Sequence, residues 1–225
     1  MGEPFPLASE CPQCLAEFEA SEARERETVN TAADIERWKG MNIPPLYYST
    51  TIDNFEAHNQ SLKTALDSTL ALVSGEYQSL VFVGPPGTGK THLAIGALKK
   101  IGGSIHRMYR VSCQIRATYT SASKETEEMV LDRMAGYKLL CIDEVGKSKG
   151  SDSELAWLSD IIDTSHSNGN KLILISNNHL RGDCPNGTKG CASCLENYLG
   201  DDMISRLSER GAVVKFEARD YRRAK

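Results

Sequence analysis

Apolar positions in this chain fall into two patterns. Short runs at 79–83, 104–109, 138–142, 171–176 and 212–216 read as strands, and between them apolar residues recur at helical spacing. The second pattern predicts helices over 61–74, 90–100, 111–119, 124–135, 151–167 and 201–208. The helix from Ser151 carries its own punctuation, a Ser-x-x-Glu start with Glu154 and a stop at Gly169. Strands alternating with helices predict an α/β fold, a parallel sheet between helices.

Ahead of these elements the pattern changes. The Glu/Arg-rich stretch 17–39 reads as an exposed, partly helical arm, and Gly40 with Pro44-Pro45 separates it from the rest of the chain, because proline disfavours helix at its own position and at the one before. The division expected is an arm, 1–42, and a core, 43–225, with a cysteine-bearing insertion at 179–196.

Composition narrows the class. With 40% hydrophobic and 25% charged residues, the 225-residue chain is neither wholly disordered nor a disulfide miniprotein. A net charge of −4 argues against a uniformly basic nucleic-acid binder. Locally the balance reverses: from Tyr77 to Lys124 there is no carboxylate, while Lys90, Lys99, Lys100, Arg107, Arg110, Arg116 and Lys124 all fall inside. Such a stretch suits a surface that meets phosphates. The chain contains no apolar run long enough for a membrane span, and its first ten residues hold acids and prolines where an export leader has cations and an apolar core, so a cytoplasmic protein without membrane contact is expected.

Strand 79–83 runs directly into Gly84-Pro85-Pro86-Gly87-Thr88-Gly89-Lys90-Thr91, the Gly-x-x-x-x-Gly-Lys-Thr pattern between a strand and a helix. Its glycines let backbone amides turn inward around an anion, and the helix adds its positive end. Lys90 is expected on the β- and γ-phosphates of ATP, and Thr91 on Mg²⁺. Hydrolysis also needs carboxylates at the tip of a neighbouring strand, and Asp143 and Glu144 follow the apolar run ending at Ile142. Asp143 is the expected Mg²⁺ ligand and Glu144 the base that orients water. Asn177, after strand 171–176, could touch the γ-phosphate, and Arg206 could stabilise charge on the phosphoryl group of a neighbouring subunit.

Seven cysteines in a chain without an export signal read as thiols or metal ligands. Cys113 and Cys141 look like small core residues. Cys184, Cys191 and Cys194 lie within eleven residues and suit a structural Zn²⁺, whose fourth ligand would be His179 or come from Cys11 and Cys14.

Taken together, these motifs resemble the AAA+ ATPases of the DnaC/IstB type, which include bacterial and phage helicase loaders and the ATP-binding helpers of some transposases. The resemblance covers about residues 42 to 223. It rests on Ile43-Pro44-Pro45 through Phe55, Gly84 through His92, Leu140 through Gly146, Ile175-Ser176-Asn177, Asp202 through Phe216, and Asp220-Tyr221-Arg222. It implies a P-loop core in which Asn177 senses nucleotide and Arg206 is the arginine finger, with Arg210 the weaker candidate. It also implies ATP hydrolysis, homo-oligomers formed through the finger, and single-stranded DNA facing the helices after the second strand. Arg110, Arg116 and Lys124 are the DNA-contact candidates, and Tyr109 and Tyr119 could stack on bases or belong to the core.

The activity implied is loading of a replicative helicase gripped by the arm; the alternative is a helper that recruits a transposase to target DNA. Because the sequence stops at Lys225, just after the last core strand, the C-terminal helical lid common in AAA+ proteins is expected to be lacking.

Overall fold

The computed structural model describes residues 31–147, 151–185, 191 and 193–221. The chain divides into two units, Met1–Gly40 and Met41–Lys225. In the first, 31–40 is a helix, α1, with ion pairs Asp34–Arg37 and Glu36–Lys39 one turn apart. Residues 1–30 of the expected arm lie outside the described residues, and 41–42 belong to the second unit.

The second unit is built on five parallel strands, β1 (Ser79–Val83), β2 (Ser104–Arg107), β3 (Leu139–Asp143), β4 (Lys171–Ser176) and β5 (Gly211–Lys215), in the order β2-β3-β4-β1-β5. Every residue of β1 is buried, as an unbroken apolar run requires when helices cover both faces. Strand alternation sorts the core. Val81, Val83, Leu140, Ile142, Leu172 and Leu174 join a cluster with residues of α4 (Met108–Ala117), α5 (Glu127–Ala135), α6 (Asp152–Ser167), α7 (Leu195–Leu199) and α8 (Asp201–Glu209). The alternate positions face the other way, where α2 (Gln60–Ser74) and α3 (Lys90–Ile101) lie: the buried Cys141 thiol reaches the Ala94 carbonyl of α3, 3.9 Å away.

Local chemistry sets the helix starts. The side chains of Asn59, Thr126 and Ser151 each accept a first-turn amide, from Leu62, Met129 and Glu154 respectively. Glu154 itself does not reach back to Ser151. Its carboxylate is buried, accepting the Tyr198 hydroxyl of α7 at 2.7 Å and the Ser112 hydroxyl of α4 at 3.2 Å, so one acid ties three helices together.

Four expectations need correction. The strand expected over 104–109 ends at Arg107, because Met108, Val111, Ser112 and Ile115 make a buried helical stripe that starts α4 early. The helix expected from Lys124 begins at Glu127, where Thr126 can cap it. Cys113 is half-buried on α4, unlike Cys141 in the core. Helix α7 is an addition to the expected elements; five residues are too few to show a period, although Leu195 and Leu199 are buried one turn apart.

Burial lowers the pKa of His92, His106 and His166 below the ordinary histidine value of 6.5. Folding therefore favours their neutral forms. As pH falls below 6.5 the unfolded chain takes up protons first, so stability present at neutral pH is lost on acidification. The denaturant midpoint should fall from pH 7.5 to pH 5.5, and replacing the three by glutamine should flatten that slope.

Candidate functional site

The turn after β1 is forced by close packing against the chain returning from β5. A side chain at Gly84 (φ +146°) would place Cβ 2.4 Å from the Phe216 carbonyl oxygen, and one at Gly87 (φ +77°) would place it 1.7 Å from Asp220 Oδ1. Only glycine meets both the backbone angle and the clearance. Phe216 N–H donates to the Val83 carbonyl and Tyr221 N–H to the Gly87 carbonyl, fastening 216–221 over the loop. The Lys90 ammonium is buried, donating to the Gly84 and Pro85 carbonyls at 2.7 Å.

Across the edge of the sheet, β3 delivers Asp143. Its Oδ2 accepts the Thr91 hydroxyl at 3.2 Å and its Oδ1 the Glu144 amide at 2.7 Å. Burial at the strand end raises the Asp143 pKa, opposed by those two hydrogen bonds and by the Lys90 charge. Glu144 sits at φ +61°, left-handed backbone that a glutamate rarely adopts. The next residue anchors it: Val145 N–H donates to the Ile175 carbonyl, and the Ser176 hydroxyl donates to the Val145 carbonyl. The Glu144 carboxylate accepts Lys147 at 2.8 Å.

These groups share a cavity of about 540 Å³ lined by Pro86 through His92, Asp143, Glu144, Ile175 and Asn177. The structure thus brings Lys90, Thr91, Asp143, Glu144 and Asn177 together. Aromatic walls that no sequence motif assigns complete it: Tyr47, Phe55 and Tyr221, with Asn54, Glu56 and Arg107. Phe55 packs on Gly89 and edge-on to His92, whose Nε2 lies 2.9 Å from the Thr51 carbonyl and 3.0 Å from Asn54 Oδ1. Tyr47, Phe55 and Tyr221 lie in short turns and irregular segments, where no period marks them; the signal available was their place inside the segments that carry the resemblance. Lys99 shapes that wall, donating to the carbonyls of Tyr47, Tyr48 and Thr50 at 2.8–3.0 Å.

Arg206 is not among the residues lining this cavity. It lies on α8, half-exposed, with its guanidinium on the Asp163 carboxylate at 2.6 Å. Arg210 follows α8 and lines a separate groove with Glu209 and Gly211.

Of the DNA candidates, Arg110 lines a second groove beside the first, with Arg107, Gln114 and Asp143. Arg116 falls on another face of α4, in line with Tyr109 seven residues earlier. Tyr109 and Tyr119 are both about two-thirds exposed, so neither belongs to the core; the Tyr119 hydroxyl donates to Glu127. Lys124 is exposed in the loop before α5.

In the insertion, His179 follows Asn177 by two residues, and its ring meets Cys184, Cys191 and Cys194, all four ligand atoms within 4.8 Å of one another. Among the described residues His179 is the fourth member of this group; Cys11 and Cys14 lie outside them. The Ser193 amide is the main influence that draws the Cys191 thiol down to about 7, whereas burial pushes Cys194 up to about 12. No helix among the described residues is long and apolar enough to cross a membrane.

A family model described as IstB-like ATP binding protein matches residues 25–225. The chain belongs to that family. Among curated relatives of this IstB-like chain, the replicative helicase loader DnaC of Buchnera aphidicola subsp. Schizaphis graminum is 27% identical over 86% of this chain and 78% of its own length. DnaC of Escherichia coli K12 is 29% identical over 71% and 68%. Among solved structures, the DnaC helicase loader matches with a TM-score of 0.62 at 23% identity, over 77% of this chain and 100% of that one. The replication initiator DnaA, solved with AMPPCP and single-stranded DNA, matches with 0.58 at 21% identity, over 78% and 51%. These structural likenesses show that the IstB-like chain has the AAA+ P-loop fold.

Replacing Lys99 by methionine removes three hydrogen bonds to part-buried carbonyls of the Tyr47 segment. The variant should lose about 1–3 kcal/mol of stability in denaturant titration and bind nucleotide more weakly.

Proposed function

We propose that this IstB-like protein is a Mg²⁺-dependent ATPase that loads a replicative helicase onto single-stranded DNA. The observation that carries the ATPase reading is the convergence of Lys90, Thr91, Asp143, Glu144 and Asn177 on one cavity behind a glycine loop. Loop amides and the start of α3 bind the phosphates, while Lys90 exchanges its own-loop carbonyls for phosphate oxygens.

The paired Thr91 hydroxyl and Asp143 carboxylate are hard oxygen donors of the kind Mg²⁺ takes. Magnesium bound there would neutralise charge on the β- and γ-phosphates. Glu144 orients the attacking water and takes its proton, and Asn177 contacts the γ-phosphate. Tyr47, Phe55 and Tyr221 offer apolar faces for the base. Arg206 lies away from its own cavity and half-exposed, which suits a finger that leaves Asp163 to complete a neighbour's site, and hence a homo-oligomer.

The loader reading is supported by the two relatives named replicative helicase loaders, and the arm is the proposed helicase contact. For DNA, an exposed face combining Tyr109, Arg116 and Tyr119, with Lys124 nearby, has the aromatic surface and positive charge that single strands take without regard to sequence. The match to an IstB-like family keeps a second reading, the one implied by the resemblance to transposase helpers: an ATPase that selects target DNA and recruits a transposase.

Glu144→Gln should keep nucleotide affinity and lower DNA-stimulated turnover at least about 100-fold; equal rates would refute the catalytic assignment. In a helicase-loading assay on protein-coated single strands, the wild type should deliver the host replicative helicase. A Tyr109→Ala/Arg116→Ala variant should bind single strands about 5- to 150-fold more weakly, the equivalent of about 1–3 kcal/mol for one stacked base. No loading by the wild type, with transposase capture instead, would select the second reading.

A further inference from the structure

We infer that His179, Cys184, Cys191 and Cys194 bind one structural Zn²⁺ that clamps the exit of β4 to α7 and to α8, which carries Arg206. The argument is geometric. Zinc bonds of about 2.3 Å to sulfur and about 2.0 Å to nitrogen give a tetrahedron with edges of roughly 3.5–3.8 Å. His179 Nε2 lies 3.5 Å from Cys191 Sγ and 3.3 Å from Cys194 Sγ, close to those edges. Three thiols and one imidazole form a complete N/S set with no position left for water, the mark of a structural site. Soft thiolates select zinc over the magnesium that the oxygen donors at Thr91 and Asp143 suit.

The backbone holds the ligands independently of their side chains. His179 N–H donates to the Ser193 carbonyl and Leu195 N–H to the His179 carbonyl, a short parallel bridge that sets His179 beside Cys194. Cys194 N–H donates to the Cys191 carbonyl and closes the Cys-x-x-Cys turn.

What the cluster grips gives the ion its role. His179 is two residues from Asn177, and Cys194 leads directly into α7. Between them Arg181 binds Asn197 Oδ1 at 2.8 Å and, at the first residue of α8, Asp201 Oδ1 at 2.8 Å, while its amide donates to Glu196. Asp183 accepts Lys215 of β5 at 2.7 Å. One ion would thus join the segment that lines the nucleotide cavity to the helix bearing the proposed finger. The metal site stands apart from the ATPase reading; the clamping role rests on it.

The full chain, purified reduced and without a histidine tag, should carry about one zinc and no stoichiometric iron by elemental analysis. Cobalt should replace it with thiolate charge-transfer and tetrahedral d–d absorption. Cys184→Ser should lose the metal, whereas Cys113→Ser and the double variant Cys11→Ser/Cys14→Ser should keep it. In hydrogen exchange, Cys184→Ser should expose 195–209 while β1 and α3 stay protected, which separates local release from unfolding. A metal-free wild type that takes up no cobalt, or metal lost only in the Cys11/Cys14 variant, would overturn the site. Unchanged exchange at 195–209 would overturn the clamp.

Discussion

Parallel pairing of β1 with β4 on one side and β5 on the other is the constraint that creates the site. All five strands run the same way, so the chain leaves the sheet repeatedly along one edge. Val83 is in register with both Ser176 and Lys215, which sets Gly84 beside the segments that begin at Asn177 and Phe216. Arg107 is in register with Asp143. A single residue of slip would send each side chain to the opposite helical layer and separate the glycine loop from its carboxylates. The packing of helices on both faces, set by alternate residues of the same strands, therefore also determines the distances between the side chains that line the cavity.

Around that edge, charge is used in two ways. The acid-free stretch supplies Lys90 to the phosphate site, but Lys99, from the same stretch, is committed to three backbone carbonyls, and Lys100 pairs with Asp53. Buried acid is used equally sparingly: Glu154 has two hydroxyl donors and holds α4, α6 and α7 in relation to one another. A buried carboxylate without such donors would be costly.

Much of this is legible in the residues in order. Apolar runs bounded by glycine mark β1 and β4 to the residue, and the spacing of Lys90, Asp143 and Asn177 along a strand–helix alternation is enough to anticipate that they meet. The walls formed by Tyr47, Phe55 and Tyr221 are not, because they come from irregular backbone positioned by distant contacts: Lys99 for one, the return over Gly87 for another. The early start of α4 is hidden because Met108 suits a strand or a helix, and only its neighbours decide. The approach of His179 to Cys194 is likewise tertiary, set by a bridge between residues fifteen apart.

The left-handed backbone at Glu144 has a consequence of another kind. Glycine or asparagine would sit there with less strain, so the acid is retained against a conformational cost of about 1–3 kcal/mol, borne by the anchoring of Val145 on β4. On the proposed role of Glu144, robustness and turnover pull apart at this position: the chain gives up backbone ease to keep a carboxylate beside the glycine loop.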